Sequence, residues 1–206
     1  TRTITVDTVA PTATVSSLIF SNDSGSSSSD FITNNSSQTI SGVLSAGTIT
    51  GDVVEVSLNN GSSWTPASNT IGSTAFSLAG QTLAGSNTLQ VRVRDAAGNL
   101  GATRSQAYVL DTTADNKTVT AAGIVLSADS GVSTTDRITN VASQTFTGNL
   151  SGNVLAGDKV QFSLDGGTTW GTAITSTNKT SFSFTGALAN GDNTIKVRHL
   201  DAAGNA

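Results

Sequence analysis

Cysteine and methionine are both missing from the 206 residues. Without cysteine the chain forms no disulfide and offers no thiolate to a metal, so only packing and oxygen or nitrogen ligands are left to hold it. Charge is scarce too. Only 12% of residues are charged and 5% aromatic, yet 36% are hydrophobic, a share that supports packed cores and points to small, polar, all-β domains over disorder. Glutamate is nearly absent: of 14 acidic residues, 13 are Asp and one, Glu55, is Glu. Asp caps turns through its own backbone and supplies oxygen to hard cations, whereas Glu suits helix faces. The basic residues are dispersed without a cluster, so nucleic-acid binding lacks its electrostatic footprint. No apolar run approaches a membrane span and no stretch reads as a signal peptide, so direct membrane insertion is not expected. His199 is the lone histidine. The first half therefore lacks any Ser-His-Asp arrangement, isolated carboxylates do not make a glycosidase, phosphate loops are missing, and no enzyme is expected.

What the chain does have, it has twice. SNDSGSSSSDFITNNSSQTISGVLS at 21–45 returns as SADSGVSTTDRITNVASQTFTGNLS at 127–151, identical at 15 of 25 positions and displaced by 106 residues. The register holds through GDVVEVSLNNGSSW (51–64) against GDKVQFSLDGGTTW (157–170), and through NTLQVRVRDAAGN (87–99) against NTIKVRHLDAAGN (193–205). Such a period is one domain long, too long for a solenoid, and describes tandem domains whose function lies in length, stiffness and spacing. The opening Thr1 suggests an excised piece of a longer protein.

Alternation with period 2 places Val54, Val56 and Leu58 on one face, matched by Val160, Phe162 and Leu164. Leu89, Val91 and Val93 also point inward, repeated by Ile195 and Val197, while Gln90, Arg92 and Arg94 face water. Ile40 with Leu44 and Phe76 with Leu78 add two strands, matched by Phe146 with Leu150 and Phe182 with Phe184. First strands are expected at 12–20 and 123–126, and a last strand at 101–110. Asn59-Asn60-Gly61, Asp165-Gly166-Gly167 and Asn190-Gly191 carry the residues that hairpin turns require. About seven short strands per repeat predict tandem immunoglobulin-like β-sandwich domains. The expected boundaries are 7–110 and 111–206. Residues 1–6 precede DTVAP as 106–110 precede DTTAD, so they read as the last strand of a preceding repeat, and the second repeat lacks its own. Strand exchange between molecules, with 1–6 of one chain pairing to the second repeat of another, is one expectation of that offset.

Together, D-T-x-A-P at 7–11, the V-x-x-S-L-D/N-x-G-x-x-W hairpins at 54–64 and 160–170, and N-T-x-x-V-R-x-x-D-A-A-G-N resemble the bacterial Ig-like repeats of giant surface adhesins. These include biofilm-associated and RTX-type proteins exported by type I secretion. The resemblance spans nearly the whole chain. It implies an extracellular, cell-surface extender that partners its neighbouring repeats, supports adhesion and biofilm formation, and is rigidified by calcium at or near domain junctions. One departure is Asp115, where the first copy has Pro11.

Two constellations offer oxygen to calcium. In the DAAGN loops Asp95 with Asn99, and Asp201 with Asn205, carry side-chain oxygens four residues apart. The sandwich topology would bring Asp95 toward Asp7 and Asp201 toward Asp111, with Asp52 and Asp158 at the same end. An Asx turn without metal is the alternative. In DSGSSSSDFITN and DSGVSTTDRITN, Asp23 and Asp30, repeated as Asp129 and Asp136, lie seven apart in a loop expected at the opposite end. A calcium held there against the next repeat would fix the angle between domains; the alternative is a self-capping loop that includes Asn34 and Asn140. The helix–loop–helix calcium pattern is absent. Trp64 and Trp170 read as packed over the core edge or as glycan-stacking platforms. His199, standing where Val93 stands in the first copy, reads as a rim histidine with a satisfied hydrogen bond, a metal ligand or a pH sensor. A glycan- or protein-binding module and a filament built by head-to-tail strand donation are the alternative functions.

Overall fold

The computed structural model describes residues 2–119 and 123–206. The chain divides into two compact units, Thr1–Thr112 and Thr113–Ala206. In the first unit the strands are β1 (Val15–Phe20), β2 (Ile32–Thr33), β3 (Ser37–Leu44), β4 (Val53–Ser57), β5 (Thr65–Pro66), β6 (Ser68–Asn69), β7 (Ala75–Thr82), β8 (Asn87–Arg94) and β9 (Arg104–Leu110). They form two sheets, β1-β3-β7-β6 and β2-β9-β8-β4-β5. Ile40, Leu44 and Phe76 from one sheet meet Val54, Val56, Leu89, Val91 and Val93 from the other in one buried cluster. The alternating residues thus supply the inner layer of a sandwich. All pairings are antiparallel except that of β2 with β9, where Ile32 lies beside Val109 and Thr33 beside Leu110.

The second unit carries β10 (Val125–Leu126), β11 (Ser143–Asn149), β12 (Lys159–Ser163), β13 (Gly171–Thr172), β14 (Ile174–Thr175), β15 (Ser181–Ala187) and β16 (Lys196–Leu200). Its sheets are β10-β11-β15-β14 and β13-β12-β16. Its core centres on a cluster of phenylalanines. Phe146, Phe162 and Phe182 are buried, with ring centroids 5.0 Å apart for Phe146 and Phe162 and 4.9 Å apart for Phe162 and Phe184. Burying one such side chain stabilises the fold by about 1.5–3 kcal/mol.

Two sites show how closely the sheets are fitted. A Cβ on Gly42 would stand 2.2 Å from the Ser17 carbonyl oxygen and 2.7 Å from the Phe76 ring, and one on Gly148 would stand 2.6 Å from the Phe182 ring. Both positions admit only glycine without a backbone or ring shift. The hairpin residues adopt the left-handed backbone their types allow, at Asn60, Gly61, Gly166, Gly167 and Gly191.

Strand limits differ from expectation at three places. Residues 12–14 lie outside β1 because Thr14 N–H turns to the Ser45 hydroxyl. The ladder of β9 begins at Arg104, after Gly101 N–H has bonded back to the Val93 carbonyl. Of 123–126, only Val125 and Leu126 are strand. Arg92 and Arg94, expected to face water, are only partly exposed and clamp Glu55 from both sides at 2.9 and 2.7 Å. Residues 2–14 contain no strand, and Ile4 and Val6 are 87% and 83% exposed.

Candidate functional site

The DAAGN loop closes on itself in both units. Asp95 Oδ1 accepts the Asn99 backbone N–H and Oδ2 accepts the Asn99 side-chain amide, both at 2.8 Å. The bond from the Asn99 side chain, aided by backbone donors, holds the Asp95 carboxyl below its ordinary value. Asp201 and Asn205 repeat the arrangement. The Asn99 amide also reaches the carbonyls of Asp7 and Val9, and the Asn205 amide that of Thr113. This loop therefore ties the lead-in of its own repeat to the sheet end. Asp7 meets it through its carbonyl, while its carboxylate accepts the Val9 N–H. Asp52 accepts the Ile49 N–H.

The serine-rich loop is a different environment. Asp23 Oδ2 accepts the Phe31 N–H, Asp30 Oδ1 accepts the Ile32 N–H, and the Ser24 hydroxyl bridges Thr33 and Asn34. Asp129, Asp136, Ser130, Thr139 and Asn140 repeat these bonds. Phe31 and Arg137 are held at φ +63° and +62°, a left-handed conformation that costs a bulky residue energy. The second carboxylate oxygen, Oδ1, of both Asp23 and Asp129 is buried with no hydrogen-bond partner. Burial raises the Asp23 carboxyl above its ordinary value, against the Phe31 bond, and the nearby Asp30 charge adds to the rise. An unpartnered carboxylate oxygen beside a second carboxylate suits a hard cation.

A third cluster is peculiar to the second repeat. Asp115, Asp158 and His199 bring their ligand atoms within 4.8 Å of one another, a group able to hold a metal ion. Lys117 already stands among them, its ammonium 2.6 Å from Asp115 Oδ2 and 2.7 Å from Asp158 Oδ2. His199 Nε2 lies 2.9 Å from the same Asp158 oxygen, which also accepts the Leu155 N–H, while His199 Nδ1 is buried without a partner. Burial works to raise the Asp158 carboxyl but is outweighed by Lys117, Leu155 N–H and His199, so it falls below its ordinary value. Burial likewise opposes the charge on Lys117, and the two carboxylates override it and raise that group. The matching first-repeat residues are Pro11, Ala13, Asp52 and Val93. Sequence reasoning placed Asp158 among the calcium candidates with Asp201 and Asp111, and met Asp115 and His199 only through their exchanges for Pro11 and Val93.

On the outer sheet face, the guanidinium of Arg92 lies 3.8 Å over the Trp64 ring and that of Arg198 4.2 Å over Trp170. Each indole thus has one face covered by a cation of its own repeat.

Two-sheet sandwiches in tandem, with loops gathered at the ends of each sheet pair, define immunoglobulin-like modules. The chain belongs to the bacterial Ig-like domain family, which matches residues 8–112 and again 116–206. Members of that family are generally non-catalytic structural modules, typical of surface proteins. No curated relative matches the chain. Among the described residues no helix is long and apolar enough to cross a membrane.

Proposed function

We propose that these two repeats are an extender segment of a long extracellular bacterial adhesin, stiffened by calcium, that supports adhesion and biofilm formation in a protein exported by type I secretion. The observation that carries the calcium reading is the pair of unpartnered carboxylate oxygens of Asp23 and Asp129. They recur at matching positions of both repeats, as a built-in cation site would. Asp23 with Asp30 and Asn34, and Asp129 with Asp136 and Asn140, would hold the ion. Its contribution would be structural: it would neutralise the loop's carboxylates and fix the lead into the next strand. Asp95 with Asn99, and Asp201 with Asn205, bond one another, so their loops act as turns. In the second repeat Lys117 supplies the positive charge at Asp115 and Asp158.

An ion that binds only the ordered loop stabilises it by RT ln(1 + [Ca]/Kd), about 2.7 kcal/mol at 100 times Kd. At millimolar calcium outside the cell the loops would be fixed; at the lower concentration inside, the chain would be looser for export. The test is a thermal melt in chelator and then in millimolar calcium, with magnesium as control. A calcium-specific rise supports the reading, and melts that coincide in all three conditions remove it.

A further inference from the structure

We infer that the outer face of the β13-β12-β16 sheet binds an acidic polysaccharide, a uronate polymer, with the Arg198 guanidinium taking the sugar carboxylate. The inference goes beyond the extender reading and makes no use of calcium. It begins with the three strands themselves, which carry Lys159, Lys196 and Arg198 and no carboxylate. Val160, Phe162 and His199 are buried on the inner side, so alternation turns Lys159, Gln161, Lys196 and Arg198 outward. Lysines and an arginine that are scattered along the sequence are gathered by the ladder, in which Gln161 lies opposite Arg198 and Ser163 opposite Lys196.

Arg198 is held ready for a ligand. Its Nε donates to Gln161 Oε1 at 2.7 Å, and its guanidinium lies 4.2 Å from the centroid of the Trp170 ring. The indole is fixed in turn by its own Nε1, which donates to the Gly167 carbonyl at 3.0 Å. Arg198 Nη1 and Nη2 make no hydrogen bond among the described residues. They leave open the planar fork that grips a carboxylate with two parallel bonds. A side chain already immobilised loses little further freedom on binding. Lys196 stands beside the same spot: the Cβ position of Gly167 is 3.3 Å from the Trp170 ring and 3.6 Å from Lys196 Nζ.

The first repeat has the same stack, Arg92 lying 3.8 Å over Trp64, with β9 paired alongside β8. The stack is therefore a property of these strands. There, however, the place of Gln161 is taken by Glu55, which accepts from Arg92 and Arg94 at 2.9 and 2.7 Å, and the place of Lys196 by Gln90. The first face supplies its own carboxylate; the second awaits one. Asp165, in the adjoining hairpin, is engaged by Ser163 and Thr169. A net charge of −4 sets copies of the chain against one another, which favours a foreign polyanion over a second copy. A uronate sugar fits both features of the face. Its carboxylate suits the fork and the neighbouring ammonium, and its C–H surface suits the partly exposed indole.

The test is a titration of the whole chain, carrying Trp64→Phe, with polygalacturonate. Trp170 emission and calorimetry are read in chelator, so that calcium plays no part. Dextran is the neutral-sugar control and polyglutamate the acidic-peptide control. The expected result is saturable binding of polygalacturonate, none of dextran, and at least tenfold weaker binding of polyglutamate. Gln161→Glu installs the first repeat's carboxylate and should weaken polygalacturonate binding about tenfold or more while the melting temperature holds. Arg198→Lys keeps the charge but loses the fork, and should weaken it similarly. An affinity unchanged by Gln161→Glu, equal binding of polyglutamate, or no binding of polygalacturonate by either readout overturns the inference.

Discussion

Replacing Lys117 with methionine keeps the aliphatic stem and removes the ammonium from between two carboxylates. Asp158 would keep its bonds to Leu155 N–H and His199 but lose its cation, with a side chain only 3% exposed. Breaking a buried pair from one side costs about 3–5 kcal/mol, because the remaining charge stays desolvated. Asp115 is 40% exposed and can turn to water, so the lower end, about 3 kcal/mol, is the expected loss. For a unit of about a hundred residues this lowers Tm by roughly 12–24 °C. Urea unfolding followed through Trp170 in a Trp64→Phe background isolates the second unit, since the two units need not unfold together. A compensated variant sets the scale: Asp115→Pro, Lys117→Ala and His199→Val install the first repeat's residues around an Asp that the first repeat also keeps. It should recover to within about 1 kcal/mol of the parent. The reasoning is refuted if Lys117→Met costs less than about 1 kcal/mol, or if its cost is unchanged when Asp158→Asn is already present, since a coupled pair must show non-additivity.

Asp23→Asn with Asp129→Asn should abolish the calcium-specific rise in Tm while leaving the melt in chelator within a few degrees of the parent. The Asp158–Lys117 pair should give stability two pH limits. The lowered Asp158 stabilises above its unfolded value near 3.8, and that contribution is lost as pH falls through the folded value below it. The raised Lys117 stabilises below its unfolded value near 10.5, and that contribution is lost as pH rises through the folded value above it. Urea midpoints of the second unit measured from pH 2 to 12 should therefore fall at both ends, and Lys117→Met should remove the alkaline fall. Gly42→Ala and Gly148→Ala should each destabilise by about 1–3 kcal/mol through overpacking, read as a shift of the corresponding unfolding transition. Glu55→Gln should cost about 1 kcal/mol by releasing Arg92 and Arg94, with altered Trp64 emission as the optical sign.

The sandwich was legible in the sequence because alternation and turn chemistry agree, as with Val54 and Val56 running into Asn60-Gly61. The repeat register made each strand readable twice. The outer sheet face was harder to read: Arg92 and Arg94 look solvent-facing until Glu55, distant in sequence, arrives between them. The DAAGN loops looked like oxygen donors, but an Asn side chain offers an amide as well as an oxygen, and here the amide bonds Asp95 and Asp201. The orphaned oxygens of Asp23 and Asp129 depend on how each loop folds over its own carboxylate, which no spacing rule reports. Lys117 drew no attention because an isolated lysine in a turn-rich stretch is ordinarily solvated, and only the fold brings it to Asp158.

The aromatic core of the second repeat bears on how neighbouring repeats avoid trading strands during folding, a characteristic hazard of tandem arrays with similar sequences. Where the first repeat has Ile40, Val56 and Leu78, the second has Phe146, Phe162 and Phe184. A strand from the first repeat placed in the second would leave a void beside Phe162. The reverse exchange would force a ring into space shaped for an aliphatic side chain, or His199 in among valines. Each core is thus a key cut for its own strands, so that similar surfaces need not mean exchangeable interiors.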